Sequence, residues 1–146
     1  IMETGMLHLH NILRWVIIVL LLVTIYQAFA KKQAIKSSSL WLMITAHTML
    51  LIGLYQLLLG RYGILNTSLP EGVSLMKSSF FRFYWVEHPL LMFAAIALIT
   101  VARGRAKVLN YKSAGWLLLS ALIFIIVAVP WPFRGESIGR HLFPGM

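Results

Sequence analysis

The sequence predicts an all-α protein: a four-helix transmembrane bundle, up-down and antiparallel, with both termini on the outer side. Three observations carry this. The first is composition: 60% of the 146 residues are hydrophobic and 12% charged, and mean hydropathy is +0.82. Soluble domains run at about 45–50% apolar and about 25% charged. A chain this short cannot hide so much apolar surface in a water-soluble core. The second is four apolar stretches near the ~20 residues that a membrane-crossing helix needs. The third is that basic residues cluster in alternate loops.

The spans follow in order as residues 12–30, 40–59, 80–102 and 114–133. The first has no basic leader before it and no small-residue cleavage site after it, so it reads as a span and not as a signal peptide. In the third, residues 78–85 extend the helix beyond its apolar part. Pro130-Trp131-Pro132-Phe133 is expected to end the fourth and fix its exit at the interface. Runs of this length, without ten-residue alternation, favour helices over a barrel. Short connections after spans one and three make antiparallel neighbours the default. The loop of residues 60–80 is longer and is expected to cap the bundle.

Charge sets the direction. The loop after span one carries Lys31, Lys32 and Lys36, and the loop after span three carries Arg103, Arg105, Lys107 and Lys112, with no acid in either. On the other side Arg61, Lys77, Arg82, Arg134 and Arg140 are diluted by Glu3, Glu71, Glu87 and Glu136. The positive-inside rule then places both termini outside. Trp15, Trp85 and Trp131 mark the outer interface, and Trp41 and Trp116 the inner one. The net charge of +9 reads as loops lying on anionic lipid, the bilayer being the chain's first partner, and not as nucleic-acid binding. With no cysteine, disulfides and thiolate sites are excluded. Ile1 precedes Met2, which makes Met2 the expected natural start.

An ionisable side chain inside a membrane span is a functional candidate by default. Three of the five histidines qualify: His10 at the head of span one, His47 within span two and His88 in span three. Counted from the inner edge at about 1.5 Å per residue, they stand about 30, 10 and 21 Å up. That predicts a staggered ladder, which argues against one compact three-histidine metal site. A pair bridged by a wide ligand is easier to build. Haem is such a ligand, since its iron accepts two neutral imidazoles on opposite faces. The candidate pairs are His10 with His88 and His47 with His88. Arg14 and Arg82, toward the outer surface, are candidate partners for the propionates. Pro89 is expected to loosen the helix beside His88.

Weaker features surround these. Gln56 and Gly60 suit a close helix crossing or a quinone contact. Ser74 to Lys77 match S-x-x-K in letters but lack the accompanying elements. His8 and His141 read as exposed. No catalytic residue set is legible.

Four segments carry a resemblance: His10-Asn11-Ile12-Leu13-Arg14-Trp15, Ala46-His47 followed by Leu51-Ile52-Gly53, Val86-Glu87-His88, and Pro130-Trp131-Pro132-Phe133. Over most of its length the chain resembles small bacterial four-span membrane proteins labelled cytochrome b. More distantly, residues 56–60 and the histidine heading span three are similar to segments of haem A synthase. The resemblance implies haem b, electron transfer in the bacterial cytoplasmic membrane, a quinone or a respiratory complex as partner, and His10, His47 and His88 as ligand candidates. Two other functions fit the same residues: a non-catalytic subunit or assembly factor of a larger membrane complex, and a metal or proton path along the three histidines with Glu87.

Overall fold

The computed structural model describes residues 2–135 and 138–142; Ile1 and Glu136, used above, lie outside them. Four long helices make up the fold: α1 (Met2–Phe29), α2 (Ile35–Leu59), α3 (Ser79–Lys107) and α4 (Tyr111–Ala128). Each is long and apolar enough to cross a membrane, and the described residues contain no strand. The helices pack in a ring, α1 on α2, α2 on α3, α3 on α4 and α4 back on α1. The chain is therefore an antiparallel bundle of the multi-pass membrane kind. One end carries the first and last described residues and the long loop; the opposite end carries the lysine-rich turns.

Each helix is explained locally. α1 begins ten residues before its apolar run. Nothing in residues 2–11 breaks a helix, and Glu3 in the first turn suits the positive end of the helix dipole. α2 stops at Gly60, whose amide returns to the Gln56 carbonyl. Beyond it the chain folds back so that Ile64 and Leu65 donate to the carbonyls of Leu57 and Leu58, and Asn66 Nδ2 to that of Leu59. The last carbonyls of α2 are thereby satisfied. This turn needs Gly63, where a Cβ would lie 2.7 Å from the Leu58 carbonyl oxygen. Gly60 thus serves to end α2 and not to shape the helix crossing expected of it.

α3 starts at Ser78, whose hydroxyl accepts from the Phe81 amide at 3.4 Å. It then widens into a π-helical turn over Phe83–Glu87, in which the His88 amide donates to the Phe83 carbonyl five residues back. From His88 it is α-helical to Lys107, five residues beyond the apolar limit of 102. Leu109, at φ 58°, turns the chain, and Asn110 Oδ1 accepts from the Ser113 amide to open α4. α4 ends at Ala128, short of the expected residue 133. Val129 is extended before Pro130, as residues preceding proline prefer, and Pro130 cannot continue the amide ladder.

The core lies toward the lysine-rich end and the middle of the bundle. Leu21, Leu42, Ile99 and Leu118 are fully buried there, among Ala46, Ala95, Ala102 and Ala121. Small side chains let helix axes approach closely, which drives packing where lipid competes with apolar contact. Toward the other end the helices part around a cavity.

Candidate functional site

The Val129 amide still reaches the Ile125 carbonyl as in a helix, but the next three carbonyls of α4 have no helical donor, and all three find other partners. Ile126 accepts from Trp131 Nε1 at 2.8 Å and Val127 from Arg134. Ala128 would take the amide of residue 132, but Pro132 has none. Its oxygen instead accepts a 2.7 Å bond from His88 Nδ1, across the bundle on α3. Because a carbonyl only accepts, Nδ1 carries the proton and the lone pair of a neutral ring lies at Nε2.

His10 meets His88 directly. Their ring centres are 6.3 Å apart with 47° between the planes. The step expected between these two rungs is absent, for a reason visible in the helices. His10 stands nineteen residues before the end of α1, and His88 nineteen before the end of α3, once α3 is seen to reach Lys107. The two are at one depth. His47 is only twelve residues from the start of α2 and stays about 10 Å nearer the lysine-rich end. It is exposed, with Nδ1 2.9 Å from the Met43 carbonyl, and joins neither histidine.

The pair lines a cavity of about 900 Å³ between α1, α2 and α3, closed at one side by the end of α4. Its walls are mainly apolar, with Met49, Leu50, Met92, Ile96 and Ile125 among them, and Asn11 buried beside His10. Arg14 lies in the same wall, one turn after His10. Its Nη2 donates to the Leu142 carbonyl at 2.7 Å, while its Nε is buried without a partner among the described residues. Gln56 lines the cavity too.

Arg82 does not. It is held by Glu87 in an ion pair, Nε to Oε1 at 2.8 Å, and by the Met76 carbonyl at 3.0 Å. The cations that the sequence did not single out, Arg61 and Arg140, line the cavity instead, and so does His141. Arg140 lies over the Tyr84 ring at 4.9 Å. Only the return of residues 138–142 across this end brings it there: the Arg140 amide bonds the Pro130 carbonyl and Tyr84 Oη donates to the Ile138 carbonyl. No local sequence signal marks such a return. Among the described residues no three histidines, cysteines or acids converge as they would on a bare metal ion.

No protein-family model matches the chain, and no similar curated protein or solved structure is found.

Proposed function

We propose that the chain is a b-type cytochrome of the bacterial cytoplasmic membrane, holding one haem between His10 and His88 and passing electrons to or from a quinone or a partner complex. The observation that carries it is the histidine pair. The ring centres are 6.3 Å apart, a separation that would leave room for one metal ion held by both imidazoles.

The residues around the pair fit the group. Ligating histidines donate their second nitrogen to a carbonyl or carboxylate, which fixes tautomer and ring orientation. His88 does so to Ala128. A haem carries two carboxylates, and the unpartnered Arg14 Nε in the cavity wall is a seat for one by a charge-assisted bond. The cavity volume lies within the range of cofactor sites, about 300–1,000 Å³, and its lining is mainly apolar with a few polar groups. When bound, the haem would supply a one-electron couple; His10 and His88 would hold it, and Arg14 would place positive charge near a carboxylate. His47 and Arg82 have no part in this reading.

The test is the absorption spectrum of the purified protein, with haem supplied during expression. A Soret band that moves on dithionite reduction supports the proposal. A colourless protein that takes up no added haem overturns it.

A further inference from the structure

The cavity has a basic edge that the haem reading leaves unused. Arg61 follows the Gly60 cap of α2, and Arg140 arrives with the return of residues 138–142. A row of rings joins them. Arg61 lies over the Tyr62 ring at 5.5 Å, and Tyr62 meets Phe80 edge-on at 5.5 Å. Arg140 lies over Phe80 at 5.7 Å and over Tyr84 at 4.9 Å. All five residues line the cavity. Among the described residues the one ion pair is Arg82 with Glu87, so neither guanidinium has a carboxylate partner. Glu3, the one carboxylate in the described wall, is exposed and pairs with neither. Tryptophan marks the depth: Trp85 Nε1 donates to the Tyr62 carbonyl at 2.8 Å, and such side chains sit at headgroup level.

Next to these cations the cavity opens sideways. Leu54 on α2, with Leu90 and Phe93 on α3, line it and are nevertheless 43, 67 and 61% exposed. The gap between α2 and α3 therefore meets the acyl chains of the bilayer. Gly53 widens it, since a Cβ there would meet nothing within 4 Å. His88 is turned away from this gap, toward Ala128 on α4.

We propose that the opening holds an anionic phospholipid, with its phosphate at Arg61 and Arg140 and one acyl chain in the gap between α2 and α3. Charge and shape both select it. Uncompensated cations at headgroup depth attract anionic lipid. A zwitterionic lipid would bring its own cation to the two arginines, and a soluble anion would leave the apolar gap unfilled. The site uses neither histidine nor Arg14, so it goes beyond the haem reading and does not depend on it.

The test is native mass spectrometry of the full chain, mixed in detergent with dioleoyl phosphatidylglycerol or dioleoyl phosphatidylcholine at equal concentration. The expected result is one retained phosphatidylglycerol, favoured about thirtyfold, the worth of two basic side chains near a lipid surface. Arg61→Gln with Arg140→Gln should remove the preference, and Arg61→Lys with Arg140→Lys should keep it. Lys36→Gln with Lys107→Gln, at the opposite end, should leave it unchanged. Gly53→Phe should lower retention of both lipids by filling the gap. Equal retention of the two lipids overturns the proposal, as does a preference that survives the paired glutamines at Arg61 and Arg140 or is lost with those at Lys36 and Lys107. Unaltered retention in Gly53→Phe, or glycerol phosphate held as tightly as the lipid, overturns it too, because the acyl chain then has no seat.

Discussion

His88 depends on a carbonyl that its own helix does not own, and that dependence gives two measurable consequences. His88→Ala removes one of the two proposed ligands and leaves the Ala128 oxygen without its donor. The expected outcome is loss of bound haem together with about 1 kcal/mol of stability, the net worth of one such hydrogen bond. His8→Ala, at an exposed position on the same end, should change neither pigment content nor melting temperature. A second residue-scale prediction concerns Gly63. An added Cβ meets the Leu58 carbonyl oxygen at 2.7 Å and the Gly60 nitrogen at 2.8 Å, backbone atoms that cannot swing aside. Gly63→Ala should cost about 1–3 kcal/mol in detergent unfolding. Gly104→Ala, within a helix and clear of neighbours, should gain up to about 1 kcal/mol. His10 and His88 were legible in the sequence because a titratable ring in an apolar run has few other reasons to be there. Arg61 and Arg140 were not, because their position comes from chain returns whose hydrogen bonds join distant residues.

Among the elements, α3 departs furthest from an ideal helix, and the departure sits beside the site. Pro89 was expected to loosen the turn before it. The turn is indeed widened, with the His88 amide reaching Phe83 and not Tyr84. One residue more than an α-helix needs is thereby stored in Phe83–Glu87. The widened turn presents two side chains to distant carbonyls: Trp85 Nε1 donates to that of Tyr62 at 2.8 Å, and Tyr84 Oη to that of Ile138 at 2.6 Å. At about 1 kcal/mol each, the expected outcome of Trp85→Phe with Tyr84→Phe is unchanged helical content by circular dichroism and a stability lower by about 2 kcal/mol. An unaltered melting temperature would mean that these two bonds hold nothing in place. The four helices themselves were plain from apolar length. Their ends were not, because polar residues such as those at 2–11 and 103–107 continue a helix once it has left the apolar layer. That error of five residues at the end of α3 is what separated His10 from His88 on paper.

For the whole molecule, charge asymmetry predicts that the lysine-rich end faces the cytoplasm. Gln33→Cys should resist a membrane-impermeant thiol reagent in intact cells, and Ser68→Cys should react; reversed labelling would invert the bundle. Both positions are exposed, whereas Ser38 is half-buried and bonded to Gln27, so a cysteine there would be shielded from either side. In this frame the cavity and its arginines open toward the outer face, and His47 lies deeper in the bilayer. The central claim is that one haem is held by His10 and His88 together. Electron paramagnetic resonance of the oxidised, haem-loaded protein tests it most directly, because two imidazole nitrogens impose a low-spin ferric iron. The predicted result is a low-spin signal that becomes high-spin, or disappears with the haem, in His10→Ala and in His88→Ala, and that persists in His47→Phe. A low-spin signal unchanged by loss of either His10 or His88, or no haem signal in the intact chain, would contradict it.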